Sequence, residues 1–161
     1  MLELRGEDAT RTWLQALADG KAIYQGNGAV MQAVNEGKIP LGIIYHYYWY
    51  KDQAESGANS DNVQLHYFKN QDPGAFVSVS GAGVLASSKH PKEAQQLVNY
   101  LTSADGQRRL ADSTALEYAV ASGAASADVL PPLDTLDAPT VDPGSLNGPK
   151  VIELMQSVGL L

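Results

Sequence analysis

Apolar and polar positions along this chain follow two different periods. Over residues 6–20, GEDATRTWLQALADG, the apolar Trp13, Leu14 and Leu17 recur at i, i+1 and i+4. Glu7 and Asp8 stand in the first turn, where the helix dipole favours acids, and Gly20 follows, so a helix with one buried stripe is predicted. The short run KAIYQ (21–25) predicts a strand, and GNGAVMQAVNEGK (26–38) returns to the helical period with Val30, Met31 and Val34 on one side. IPLGIIY (39–45) is a continuous apolar run of the kind that fills a central parallel strand. HYYWYKDQAE (46–55) predicts another helix and VQLHYF (63–68) another strand. This α-β-α-β-α-β order predicts an α/β fold, a doubly wound, mostly parallel sheet flanked by helices.

After the turn chemistry of KNQDPG, the run AFVSVSGAGVLASS (75–88) alternates as a strand, with a small-residue bend at Ser80 to Gly83. HPKEAQQLVNYLTSADGQRRLADS reads as two tandem helices. Pro91 suits the first turn of one, and Thr102 or Ser103 caps the other, which opens at Ala104. Residues 121–143 are rich in Ala, Ser, Asp and Pro and predict an irregular segment laid over a surface. The last helix, within SLNGPKVIELMQSVGLL, has Val151, Leu154, Met155 and Val158 as its apolar face. No internal repeat is seen.

Composition narrows the function. The chain has 161 residues, 44% hydrophobic and 18% charged, an ordinary globular balance able to bury a core. A net charge of −7 without a basic patch argues against nucleic acid as a partner. No apolar run approaches the roughly 20 residues that span a bilayer. The absence of cysteine excludes thiolate metal sites, cysteine nucleophiles and disulfides, and leaves the compartment open. MLELRGEDATRTW lacks the basic-then-apolar pattern of a signal peptide, so the expectation is a cytoplasmic protein or a chain that begins inside a longer precursor.

The most unusual stretch is LGIIYHYYWYKDQAE (41–55), where four of the eight tyrosines fall within six positions. A strand ending at Tyr45 and followed at once by a helix puts residues 45–48 at the carboxyl edge of a parallel sheet, where such sheets bind ligands. The helix N-terminus adds free N–H groups and a positive dipole end. Phenols are neutral at neutral pH, but a hard cation such as Fe(III) displaces their protons and takes the oxyanions. Tyr47 and Tyr48 point about 100° apart in a regular helix, so they converge on one ion only within its first turn. Aromatic clusters more often bury surface and stack, and on composition alone that reading stands beside the metal one.

The tyrosine stretch IIYHYYWYK, the preceding GNGAVMQAVNEGKIPLGI, the following LHYFKNQDPGAFVSVSGAGVLASSKHPKEAQQLVNYLTSADGQ and the terminal SLNGPKVIELMQSVGLL together resemble the ferric-iron-binding proteins of bacterial ABC transporters. These are periplasmic or lipid-anchored. The resemblance runs in order over nearly the whole chain. It implies a periplasmic-binding-protein (type II-like) lobe that closes on Fe(III) against a second lobe and delivers the ion to an ABC permease in the membrane. The family's consecutive iron-binding tyrosines fall on Tyr47 and Tyr48. Many members bind a small anion, phosphate or carbonate, beside the iron. An asparagine contributing to that anion site falls on Asn27. A second asparagine common there is replaced by Tyr45, whose hydroxyl would serve the anion or a bound phenolate. The chain resembles only the second half of these proteins, whose first lobe supplies further ligands.

The domains implied are a core at 1–79 carrying the tyrosines, a hinge crossover with the tandem helices at 80–120, and an extended return with the last helix at 121–161. The 80–120 part normally packs on the first lobe. Its Leu97, Val98, Leu101 and Leu110 face would need another cover here, which suggests a homodimer or swapped oligomer. His46 is expected behind the ligands rather than among them, His66 to pack within its strand, and His90 to lie on the surface. SGAG (80–83) resembles a phosphate-cradling nest but lacks a P-loop lysine, and hinge is the better reading. Arg108 and Arg109 beside Asp105 and Asp112 form a solvated face. No nucleophile elbow, HExxH or paired catalytic carboxylates are present, so no enzyme is expected. Two alternatives to ferric transport remain: a carbohydrate or small-anion receptor, and an Fe(III)-tyrosinate enzyme, which would need histidine ligands.

Overall fold

The computed structural model describes residues 1–20 and 23–161. Its helices are α1 (Leu2–Asp19), α2 (Asn27–Asn35), α3 (His46–Glu55), α4 (Pro91–Leu101), α5 (Ala104–Ala111) and α6 (Gly148–Ser157), with short 3-10 turns at Pro73–Ala75, Leu133–Leu136 and Pro143–Ser145. All the helices that periodicity predicts are present. Their ends follow local chemistry: Pro91 opens α4, the Ser103 hydroxyl accepts from the Gly106 amide to cap α5, and the Asn147 side chain accepts from the Lys150 amide to cap α6. Gly6 breaks α1 with φ +78, so the regular helix runs from Glu7 as the acidic first turn implied.

The expected parallel sheet is not formed among the described residues. Segments 39–45, 63–68 and 76–86 are neither helical nor paired in ladders, and Lys21 and Ala22 of the first expected strand lie outside the described residues. A central strand needs neighbours on both edges and cover on both faces. Leu41, Ile43, Val79 and Leu85 have neither and remain 63–75% exposed. Among the described residues no pairing partner meets these apolar runs.

The chain divides into two compact units, one of Met1–Gln25, His66–Val77 and Asp134–Leu161, the other of Gly26–Leu65 and Ser78–Leu133. In the first, α1 packs on α6, with Leu14 and the fully covered Leu154 at the seam. Val151, Met155 and Val158 line the same face as Leu154, as their spacing predicts, whereas Trp13 stays partly exposed. Glu7 bridges Arg11 at 3.0 Å and Lys150 at 3.1 Å across the seam. These ion pairs are exposed and contribute little. Removing the Leu154 side chain would cost about 2–5 kcal/mol, so apolar packing holds this unit together.

The second unit carries the tyrosines. Helices α2 and α3 pack together, and the loop after α3 is tied to both. Asp52 accepts from the Asn59 amide and side chain, each at 3.0 Å, and from the buried Ser60 hydroxyl at 2.6 Å. The Ser60 bond first, then Asn59, holds the Asp52 carboxyl below its ordinary value. From the end of α2, the Asn35 side chain donates to the Ala58 carbonyl and accepts from the Asn62 amide. At the other end the chain crosses α2 closely at Gly42: a Cβ there would collide with Val30 and touch Val34. That crossing brings residue 45 back to the start of α2.

Gly42→Ala is therefore expected to lower stability by about 1–3 kcal/mol through overpacking. It should reduce the urea midpoint without changing the slope of the unfolding transition, as followed by far-UV circular dichroism.

Candidate metal centre

The site begins at the junction into α3. Tyr45 is its N-cap, with extended backbone, and its phenol cannot cap the helix as an Asp or Ser would. The junction is instead held from outside. The Tyr45 amide donates to Asn27 Oδ1 at 2.9 Å, and Asn27 is the first residue of α2. The two residues singled out for an anion thus meet, and with them two helix N-termini, each carrying partial positive charge. The Tyr48 amide closes the first turn of α3 on the Tyr45 carbonyl at 3.3 Å, a tight 3-10-type bond.

Tyr47 and Tyr48 are the second and third residues of α3, in that first turn. Their rings stack with centroids 4.6 Å apart and planes 29° apart, despite the 100° that separates neighbours on a regular helix. Tyr45 stacks on Tyr47 from the other side at 5.7 Å and 9°. Partial burial first, then the hydrogen bond and charge of Tyr48, push the Tyr47 phenol above its ordinary value. The raised value keeps the Tyr47 phenol protonated at neutral pH, and a hard cation would have to expel that proton.

His46 opens α3, with its ring edge-on to Tyr47 and its Nε2 directed to a different segment of the chain. Its Nε2 lies 3.1 Å from the Leu116 carbonyl, which can only accept, so the proton sits on Nε2. Its ring lies 5.1 Å from that of Tyr118. Burial pushes the imidazole below its ordinary value against the opposing pull of the Leu116 carbonyl and the Glu117 carboxylate. Trp49 anchors the next position by donating to the Val63 carbonyl at 2.9 Å. Beside Tyr48, a cleft of about 260 Å³ opens between α2 and α3, lined by Met31, Gln32, Lys51 and Glu55 among others.

His66 belongs to the first unit and packs edge-on to Phe68, and His90 precedes α4, its amide bonded to Ser88. Among the described residues no group of three or more His, Cys, Asp or Glu side chains could hold a metal. The sequence reading missed Leu116, Glu117 and Tyr118. Nothing in LEYA marks them, because the positive φ of Leu116 and the return of this segment to α3 arise only in the folded chain.

A family model for bacterial extracellular solute-binding proteins matches residues 4–108. The chain belongs to that family. It is 54% identical over all 161 residues to the "Fe(3+)-binding periplasmic protein" of Serratia marcescens, covering 48% of that protein. It is 37% identical over 141 residues to the "Major ferric iron-binding protein" of Neisseria meningitidis serogroup B, covering 88% of this chain and 42% of the relative. Among solved structures, iron-bound HitA from Pseudomonas aeruginosa superposes with a TM-score of 0.88 at 40% identity, over 98% of this chain and 51% of that one. The chain therefore shares the fold of part of HitA and spans about half the length of the curated relatives it matches.

Replacing Tyr48 by Phe removes two of the causes that raise Tyr47. In a spectrophotometric phenol titration the Tyr47 midpoint is expected to move down toward the ordinary phenol value.

Proposed function

We propose that this chain is the tyrosine-bearing part of an extracytoplasmic receptor that binds Fe(III) and delivers it to an ABC permease in the membrane. The observation that carries the reading is the Tyr47–Tyr48 pair, stacked ring on ring in the first turn of α3. Two phenol oxygens on neighbouring, stacked rings suit a hard trivalent cation, and as phenolates they gain from the helix dipole. The names of the Serratia and Neisseria relatives and the iron in HitA support the same cargo. The protein is read as a binder in transport rather than an enzyme, working in the periplasm or on a lipid anchor.

Two phenolates supply only part of a ferric coordination sphere. Asn27 and Tyr45, where the N-termini of α2 and α3 meet, are proposed to seat a small anion, phosphate or carbonate, beside the metal. The remaining ligands would come from the part of a longer receptor that this chain does not span. Cover for α4 would come from the same source or from a second copy of the chain, since Leu97, Tyr100 and Leu101 on that helix are 42–58% exposed.

Titration with ferric nitrilotriacetate, followed by visible absorbance and light scattering, tests the reading. Wild type is expected to develop a phenolate-to-iron charge-transfer band and to release protons as it loads, so that affinity falls as pH falls. Loss of a partner behind a ligand already costs about 10–100-fold in metal affinity. Tyr47→Phe and Tyr48→Phe, which remove ligands themselves, are expected to lose more than that together with the band. An unaltered band in both variants would remove the tyrosine pair from the site, and a colourless wild type that retains a sugar or anion would favour the non-metal receptor.

A further inference from the structure

The segment after α5 does more than connect helices. Leu116 is a non-glycine residue held at φ +52, a left-handed conformation that branched or bulky residues adopt only when their surroundings impose it. Its carbonyl receives the His46 Nε2 proton at 3.1 Å. Two residues on, the Tyr118 ring lies 5.1 Å from the imidazole, and the Tyr118 hydroxyl donates to the Pro131 carbonyl at 2.7 Å. The same segment is fixed again by the Ala119 amide on the Ser126 hydroxyl and the Val120 amide on Gln107 Oε1, both at 2.9 Å. His46 is thus gripped by a strained carbonyl and an aromatic ring whose own positions are determined on several sides.

What His46 touches on its other side is Tyr47. The imidazole meets the phenol ring edge-on, with centroids 5.8 Å apart and planes at 82°, and it meets Tyr50, one turn on, at 6.2 Å and 73°. Tyr47 therefore has Tyr45 on one side, Tyr48 on another and the His46 edge on a third. Tyr47 thus has its ring direction set by an imidazole anchored on a segment outside α3. Side chains that orient a ligand from behind act in this way in other metal sites.

We infer that His46 is a positioning residue, which, clamped by the Leu116 carbonyl and the Tyr118 ring, holds Tyr47 in the orientation that lets its phenol converge with that of Tyr48. The inference rests on the ferric reading for its purpose, but the clamp itself is a property of the metal-free chain. It assigns a role to a histidine that supplies no ligand and gives the strain at Leu116 a function.

The test compares His46→Phe, which keeps a ring but removes the donor, with His46→Gln, whose side-chain N–H can reach the same carbonyl. Near-UV circular dichroism of the metal-free chain reports the tyrosine stack, and iron release to a competing chelator from the ferric nitrilotriacetate-loaded chain reports the site. His46→Phe is expected to change the tyrosine dichroism with the far-UV spectrum intact, to shift the charge-transfer band, and to speed iron release about 10–100-fold. His46→Gln is expected to restore most of both. Tyr118→Phe, which removes the hydroxyl that donates to Pro131 and is read by iron release because it also removes a tyrosine chromophore, provides a milder second variant should His46→Phe fail to fold, with the same direction of change. Wild-type near-UV dichroism in His46→Phe, or wild-type iron release in Tyr118→Phe where His46→Phe does not fold, would overturn the inference. A wild type without any visible band would instead overturn the ferric reading, and the dichroism would still decide the clamp.

Discussion

One hydrogen bond determines whether this molecule has a site at all: the Tyr45 amide donating to Asn27 Oδ1. A helix that begins on a tyrosine has no side-chain cap of its own, and its first turn is prone to fray. Asn27 supplies the cap from another helix. It thereby fixes the direction in which α3 leaves the chain, places Tyr47 and Tyr48 in an ordered first turn, and brings two helix N-termini to one point. The close crossing at Gly42 is the packing condition for this bond, because a larger residue would lift the chain from Val30 and Val34 and carry Tyr45 away from Asn27.

The other end of α3 is secured differently. Asp52, Asn59, Ser60 and Gln53 form a satisfied polar knot around a buried hydroxyl, and Asn35 ties the same loop to α2. Such a network costs more to break than an exposed ion pair, since each removed partner strands a polar group in a covered place. The helix is thus held at the Asn27 junction, at Trp49 through Val63, and at the Asp52 knot. The stacked phenols stand on a rigid support, a condition for any ligand set that has to present two oxygens to one cation.

Much of this was legible in the residues. Helical periodicity located the six helices, Pro91 and the Thr102–Ser103 pair marked helix starts, and the tyrosine run after an apolar stretch identified the junction. Asn27 and Tyr45, eighteen positions apart, were paired only through family resemblance, and the structure brings them together. The sheet was not recoverable in the same way. Alternation and apolar runs reveal which residues can enter a strand, but a strand exists only when a neighbour accepts its hydrogen bonds, and that neighbour is not specified locally. Leu41 and Ile43 are well suited to a buried strand and remain exposed. The clamp on His46 was equally hidden, since it depends on a left-handed Leu116 that no propensity would place there.

The phenol pair depends on the capped junction, and amide hydrogen exchange at Tyr45 measures it directly without any metal. The Tyr45 amide should be protected in the wild-type chain by roughly tenfold or more and should lose that protection in Asn27→Ala while the amides late in α3 keep theirs. A Tyr45 amide that exchanges at the unprotected rate in the wild type would contradict the account, because the first turn of α3, and the phenol pair it carries, would then have no fixed place.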